Sequence, residues 1–162
     1  MKALVYHGPG QKAWEEAPDP EILDPTDAIV QVDTTTICGT DLHILKGHWP
    51  KPLPWPFTLG HEPFGIVEAI GPRAKGVKVG QKRIVYPWIG CGKCAVCKAG
   101  QDNYCVSGTR FLGVNRPGAY STHVLIPDPK YLIDSSGIDD AFAATLACSG
   151  LTAYSAAAKL PE

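Results

Sequence analysis

The stretch that decides the fold is Cys91-Gly-Lys-Cys94-Ala-Val-Cys97-Lys-Ala-Gly-Gln-Asp-Asn-Tyr-Cys105. Its cysteines are separated by two, two and seven residues, and this spacing lets four thiolates converge on one tetrahedral Zn²⁺. Because sulfur would fill all four coordination positions, no position remains for a substrate. The spacing therefore predicts a structural zinc lobe over residues 90–106.

The same cysteines would also permit two disulfides. The first ten residues contain no apolar core of the kind found in signal peptides, which indicates a reducing, cytoplasmic location. Clustered cysteines in such a compartment are more often metal ligands than cross-links. We therefore favour zinc over disulfides and expect a cytoplasmic protein.

Length and composition predict one globular domain. The chain has 162 residues, of which 44% are hydrophobic, enough to bury a core. A formal net charge of -1 gives no electrostatic attraction for nucleic acid, and the weakly polar run at residues 141–158 is interrupted by Ser149-Gly150. We expect no nucleic-acid partner, no membrane partner, and one or two helices in that run.

Turn residues divide the rest of the chain into short β-type runs. One helix is predicted at Gly39–Lys46, and Asp139 or Asp140 is expected to cap another near the end of the chain. The expected strands lie at residues 1–6, 28–35, 65–70, 82–85, 120–126 and 130–133. This pattern predicts a mostly β (α+β) fold, either a partly open barrel or a sandwich, with a C-terminal helical segment.

A second set of candidate ligands lies outside the lobe. Cys38, His61 and Cys148 together make the Cys₂His set of a catalytic zinc, whose fourth position is left to water or substrate. Taken singly, a cysteine is commonly a small buried hydrophobe and a histidine an ordinary polar side chain. Spacing alone does not decide between these interpretations.

The order of the motifs resembles a known family. Cys38-Gly-Thr-Asp-Leu-His43, then Gly60-His61-Glu62-Pro-Phe-Gly65, the cysteine lobe and Cys148 are similar to the zinc-dependent alcohol dehydrogenases of the medium-chain dehydrogenase/reductase family. The resemblance covers nearly the whole chain. It implies that residues 1–162 form a GroES-like catalytic domain with one catalytic and one structural zinc. Gln81, where the family usually has an aspartate, and Pro63-Phe64, where it has small residues, depart from the pattern without touching a ligand.

The resemblance also implies roles for residues around the catalytic set. Asp41 would hold the free nitrogen of His61, and Glu62 would act as a transient zinc ligand. Thr40 would hydrogen-bond the zinc-bound oxygen, and His43 would release the proton to solvent. The alternatives are a helix-surface aspartate, a structural salt-bridge glutamate, a helix cap and a surface histidine. Trp49 and Trp88 would form walls of the substrate pocket, or else be core or surface aromatics.

Zinc would let a bound alcohol ionise near neutral pH, and the resulting zinc-bound alkoxide expels hydride readily. The hydride acceptor is expected to be NAD or NADP. Two segments match the loose dinucleotide pattern, Gly8-x-Gly10-x-x-Ala13 and Gly90-x-Gly92-x-x-Ala95, but the first runs into a turn and the second is the zinc lobe. We expect no cofactor-binding residue in this chain, the Rossmann domain being absent from it.

The expected function is reversible NAD(P)-linked oxidation of small primary alcohols to aldehydes, with two zinc ions per chain. The full-length protein is expected to be a homo-oligomer, and these 162 residues alone to be inactive without the Rossmann domain. Polyol, threonine and formaldehyde dehydrogenases of the same family are alternatives. A zinc-binding module without catalytic activity is another.

Overall fold

The computed structural model of the chain describes residues 1–50, 53 and 56–160. Its strands are β1 (Lys2–Gly8), β2 (Gln11–Glu16), β3 (Ala28–Thr35), β4 (Phe57–Thr58), β5 (Pro63–Ile70), β6 (Lys82–Val85), β7 (Trp88–Ile89), β8 (Arg110–Phe111), β9 (His123–Ile126) and β10 (Leu132–Asp134). Its α-helices are α1 (Gly39–Leu45), α2 (Ala95–Lys98), α3 (Asp140–Thr145) and α4 (Leu151–Ala157). A π-helical segment at Leu146–Gly150 joins α3 to α4, and short 3₁₀ turns lie at Asp102–Tyr104 and Pro129–Tyr131.

The strands form a partly open barrel, as expected. A five-stranded sheet has the order β10-β6-β5-β3-β9, and a three-stranded sheet has the order β2-β1-β4. The two sheets meet where Ala3 bridges Ser121, flanked by hydrogen bonds from Leu4 N to Tyr120 O and from Thr122 N to Lys2 O. A third, two-stranded sheet of β7 and β8 lies beside the cysteine lobe.

Every pairing between these strands is antiparallel. Within the described residues there is thus no parallel sheet of the kind that forms a Rossmann domain. The two glycine patterns lie in other features: residues 8–11 form the turn between β1 and β2, and residues 90–95 belong to the cysteine lobe.

The barrel core consists of aliphatic side chains from strands that face one another. Val30, Val67, Val85 and Ile126 are fully buried at its centre. Where β3 pairs with β5, a side chain at Gly65 is excluded, because its Cβ would lie 2.0 Å from the backbone oxygen of Gln31. The two strands can approach this closely only because residue 65 is glycine.

The helical segment packs on the outside of the five-stranded sheet. Ala143, Ala144 and Ala147 contact Phe64 and Ile84 in a separate buried cluster. The side chain of Asp139 accepts a hydrogen bond from Phe142 N at 3.0 Å and so caps α3, as the sequence predicted. This packing brings Cys148 to the same side of the barrel as α1.

Four predicted strands have different bounds in the structure. Strand β1 covers Lys2–Gly8 and not 1–6, β5 covers Pro63–Ile70 and not 65–70, and the last two begin later than predicted. The strand expected at 120–126 begins only at His123, because the residues before it bond across the barrel opening to β1. In the run expected at 130–133, Lys130 and Tyr131 form a 3₁₀ turn, because Asp128 accepts the backbone N–H of Lys130. Strand β2 was not predicted, since most of its side chains are exposed or only half-buried.

Candidate functional site

The first site is the cysteine lobe. The sulfur atoms of Cys91, Cys94, Cys97 and Cys105 all lie within 4.8 Å of one another, and Cys91 Sγ is 4.0 Å from Cys97 Sγ. Two sulfurs bound to one tetrahedral zinc at about 2.3 Å are separated by roughly 3.8 Å. The observed separation therefore fits a Cys₄ metal site. None of these cysteines forms a disulfide.

Backbone N–H groups stabilise the thiolates of the lobe. The N–H groups of Lys93 and Cys94 both point at Cys91 Sγ at 3.4 Å, and they lower the pKa of Cys91 to about 5. The pKa of Cys97 shifts the other way, because burial and the adjacent sulfurs raise it to about 12. Four sulfurs this close cannot all be anionic without a cation between them, which is the condition that a bound metal satisfies.

A buried aspartate connects the lobe to the barrel. Asp102 Oδ1 accepts hydrogen bonds from Tyr131 Oη at 2.8 Å and from Lys130 Nζ at 2.9 Å. The same tyrosine oxygen accepts the N–H of Gly90 at 3.1 Å. A Cβ at Gly90 would lie within 2.5 Å of Cys97 Sγ, so glycine is required for the lobe to close.

The second site brings together three ligands distant in sequence. Cys38 precedes α1, His61 lies between β4 and β5, and Cys148 belongs to the π-helical segment. Their ligand atoms and one carboxylate oxygen of Glu62 lie within 4.8 Å of one another, and the two sulfurs are 4.0 Å apart. This geometry also fits a tetrahedral metal with two sulfur ligands.

The π-helical segment is a local feature at this site. Over Leu146–Gly150 the backbone forms the wider turn of a π-helix in place of the regular turn of an α-helix. Such segments are rare and frequently occur at functional positions. Ser149 Oγ donates to the backbone oxygen of Thr145 at 3.0 Å, so one side chain competes for a carbonyl that an α-helix would use. Cys148 lies within this segment.

His61 is oriented by Asp41. The imidazole is 7% exposed, and its Nδ1 lies 3.3 Å from Asp41 Oδ1, while its Nε2 is 3.8 Å from Glu62 Oε1. Neither His61 Nδ1 nor Asp41 Oδ1 has a well-aligned hydrogen bond with any described group. With Nδ1 directed at the carboxylate, Nε2 is the nitrogen available to a metal.

The charges of this site are those of a cation-binding site. Burial disfavours an imidazolium, but Asp41 and the thiols of Cys148 and Cys38 outweigh it and raise the pKa of His61 to about 11. Burial likewise opposes a thiolate at Cys38, but Thr40 and His61 lower its pKa below the ordinary value. A proton on His61 thus supplies the positive charge that a bound metal would otherwise provide.

Sequence reasoning missed two side chains at this site. Tyr120 donates its hydroxyl to Asp41 Oδ2 at 2.8 Å, and Thr36 donates its hydroxyl to Glu62 Oε2 at 2.6 Å. Burial and the charge of Asp41 raise the pKa of Tyr120 far above its ordinary value, so the phenol remains a hydrogen-bond donor. Neither residue belongs to a motif, and only the fold brings them beside the ligands.

A small apolar cavity of about 90 Å³ opens onto the second site. His61 and Cys148, two of the candidate ligands, line it together with Thr40. The described lining residues are Thr40, Trp49, His61, Pro87, Trp88, Phe111, Leu112, Val114 and Cys148. Both tryptophans singled out in the sequence therefore face the same cavity as the candidate ligands.

His43 is placed differently from the other residues. Its side chain is exposed on α1, and its ring lies 6.3 Å from the ring of His48. It follows Thr40 by three positions, so the two residues are neighbours on the surface of the helix. A group at this position can exchange protons with solvent.

Comparison with known proteins assigns the family. Residues 24–135 match the family described as the alcohol dehydrogenase GroES-like domain. The chain belongs to this family. The resemblance of its motifs to those of the zinc-dependent alcohol dehydrogenases is thereby confirmed.

Relatives of this GroES-like domain include dehydrogenases of more than one kind. It is 36% identical to an NAD-dependent alcohol dehydrogenase of Sulfolobus acidocaldarius, covering 96% of this chain and 46% of the relative. It is 38% identical to an L-threonine 3-dehydrogenase of Rhizobium etli, covering 89% and 42%. The solved alcohol dehydrogenase of Aeropyrum pernix superposes with a TM-score of 0.87 at 29% identity, covering 99% of this chain and 49% of that one.

The chain thus spans about half the length of these relatives. No helix within the described residues has both the length and the apolar character needed to cross a bilayer.

Proposed function

We propose that residues 1–162 form the catalytic domain of a zinc-dependent, NAD(P)-linked dehydrogenase that interconverts small primary alcohols and aldehydes. The observation that carries the proposal is the convergence of His61, Cys38 and Cys148 in one cluster, of which His61 and Cys148 line a small apolar cavity. A metal site that only supports structure needs no cavity beside it. This argues against a zinc-binding module without catalytic activity.

Cys38, His61 and Cys148 would hold the catalytic zinc, and Cys91, Cys94, Cys97 and Cys105 the structural one. When bound at the first set, Zn²⁺ supplies Lewis-acid chemistry that favours ionisation of a hydroxyl and stabilises negative charge on its oxygen. Glu62 is buried, and Thr36 donates to one of its oxygens. Its other oxygen faces His61, so it can approach the metal as an additional ligand.

All six cysteines are free, which supports a reducing compartment such as the cytoplasm.

Side chains of the protein would position the substrate and transfer its proton. Trp49, Trp88 and Phe111 would exclude water from the reacting carbon and hold it in place. Thr40 would accept the hydrogen bond of the substrate hydroxyl, and His43 would pass that proton to solvent from the exposed side of α1. The alcohol thereby loses one proton to solvent and one hydride to NAD(P)⁺.

The lining of the cavity favours simple alcohols over the alternatives in the family. Apart from His61, the described lining residues include no charged side chain that could pair with an amino or carboxylate group. Threonine carries both groups, and a buried, unpaired charge is costly. Polyols would likewise leave several hydroxyls without partners. These apolar walls support an ethanol-sized aliphatic substrate.

The test uses a protein that carries this chain together with a nucleotide-binding domain, in which NADH formation from ethanol is followed. We expect turnover with ethanol that exceeds turnover with sorbitol or threonine, and its loss in the Cys148→Ser variant. The 162 residues alone serve as a control and are expected to show none, because the residues that the structure describes form no parallel sheet that could bind a dinucleotide. Absence of turnover with every alcohol in the metal-loaded protein would reject the proposal.

A further inference from the structure

Asp41 divides its two carboxylate oxygens between different partners. Oδ1 faces His61 Nδ1 at 3.3 Å, while Oδ2 accepts the N–H of Cys38 at 2.9 Å and the hydroxyl of Tyr120 at 2.8 Å. The carboxylate is 4% exposed, so water does not hold it in place. Its orientation toward the imidazole therefore depends on these two donors.

Tyr120 is itself held rigidly. Its backbone N–H donates to Leu59 O at 3.0 Å, and its carbonyl accepts from Leu4 N at 2.6 Å, where the two sheets meet. Its ring lies against Gly60, where a Cβ would come within 2.6 Å of the ring atom Cδ1. Gly60 has a φ of +92°, and it immediately precedes His61. The phenol and the metal ligand are thus packed against the same piece of backbone.

We propose that Tyr120 is a positioning residue for the catalytic metal. Its hydroxyl fixes Asp41, and Asp41 in turn fixes the tautomer and ring orientation of His61. Tyr120 does not touch the metal or the substrate. Its second acceptor, Thr36 O, lies farther away at 3.3 Å, so the single hydroxyl proton goes to Asp41.

The alternative is that Tyr120 only joins the two sheets. Tyr131 provides a matched comparison, because it donates to the buried Asp102 at the same distance of 2.8 Å, but beside the cysteine lobe. A Tyr→Phe substitution at either position removes one hydroxyl that donates to one buried carboxylate. A role in positioning the catalytic metal predicts that only the substitution at residue 120 affects that metal.

The experiment measures metal affinity. The chain is loaded with Co²⁺ at both sites, and the absorption of thiolate-bound Co²⁺ is followed against a competing chelator. The Cys148→Ser variant identifies the part of the signal that belongs to the catalytic set. We expect Tyr120→Phe to weaken Co²⁺ binding at that set by up to about 10-fold, the lower end of the usual 10- to 100-fold effect of removing a direct hydrogen-bond partner of a metal ligand, because Tyr120 acts through Asp41. Tyr131→Phe should leave that affinity unchanged.

A second measurement tests whether the effect of Tyr120 on Co²⁺ affinity is transmitted through Asp41. Asp41→Asn should weaken the same site at least as much, and adding Tyr120→Phe to it should cause no further loss, because both changes break one chain of contacts. Equal affinity in Tyr120→Phe and the unchanged chain would overturn the proposal, as would an equal loss in Tyr131→Phe. If Tyr120→Phe does not fold, full affinity in Asp41→Asn overturns it, because Tyr120 then has no route to the ligand.

This inference rests on the proposed catalytic metal site, and the two can fail separately. If the unchanged chain binds no second Co²⁺, the proposed site is rejected. If a second Co²⁺ binds and Tyr120→Phe leaves it unaffected, only the role of Tyr120 is rejected.

Discussion

At the scale of single residues, Asp41 serves the helix and the site at once. Its carboxylate accepts the N–H of Cys38 at the start of α1, as in a capping box, and also faces His61. The helix therefore cannot begin correctly without also placing the carboxylate that orients the imidazole. Because one carboxylate has both roles, the six-residue motif Cys38–His43 is informative about the helix and the site together.

Motif spacing predicted the Cys₄ lobe, because clustered thiolates are chemically distinctive, whereas the set of Cys38, His61 and Cys148 was predicted from the order of the family motifs, since spacing alone left other interpretations open. Tyr120 and Thr36 could not be found in this way. Hydroxyl residues are common along the chain, and what distinguishes these two is their contact with Asp41 and Glu62 across the fold. Their positions follow from strand pairing, which a local pattern does not specify.

The two ligand sets should respond differently to substitution. Cys94→Ser should lower the free energy of unfolding by more than about 4 kcal/mol, because loss of a metal from a closed site is among the largest single-substitution effects. Cys148→Ser should release one metal and leave the lobe folded. Denaturant unfolding combined with metal analysis measures both. Equal loss of stability in the two variants would reject the division into structural and catalytic sites.

Trp49 should determine substrate size. Trp49→Ala in a protein with a nucleotide-binding domain should raise kcat/KM for hexanol relative to ethanol by about 10-fold or more, since each additional methylene that fits contributes about 1–3 kcal/mol. The ratio of the two substrates is used because Trp49 also packs against a buried cluster, and its removal lowers the fraction of folded protein. Trp14, which is 57% exposed on β2, provides the control, and Trp14→Ala should leave the ratio unchanged. An unchanged ratio in Trp49→Ala would exclude this residue from the pocket wall.

At the scale of elements, the strands that sequence predicted are those with buried apolar side chains. Strands β3 and β6 have the predicted bounds, whereas β4, β7 and β8 are only two residues long and leave no periodic pattern. The π-helical segment was also beyond prediction, because no local sequence pattern marks the place where a helix changes from α to π hydrogen bonding. It is this segment that carries Cys148.

The close approach of the paired strands β3 and β5 at Gly65 can be tested by adding one methyl group. Gly65→Ala should lower the free energy of unfolding by more than about 3 kcal/mol, because the new Cβ would meet a backbone oxygen that cannot move aside. Gly39→Ala is the matched control, since a Cβ there meets nothing within 4 Å. It should be neutral or stabilise by about 0.4–1 kcal/mol. If denaturant unfolding shows similar values for both variants, the two strands do not depend on glycine for their approach.

At the scale of the whole molecule, the barrel and the helical segment hold one ligand set together from three distant parts of the chain. The cysteine lobe is built differently, from 15 consecutive residues, Cys91–Cys105, and is attached to the barrel through Asp102. The fold class was predictable because the family motifs occur in order along the chain. The docking of the lobe and the cavity between Trp49 and Trp88 became visible only with the structure.

The most direct test of the account is the zinc content of the folded chain, measured by elemental analysis of freshly purified protein against its concentration. Two separate ligand sets predict two zinc ions per chain, falling to one in Cys148→Ser. One zinc or none in the folded, unsubstituted chain would contradict the account.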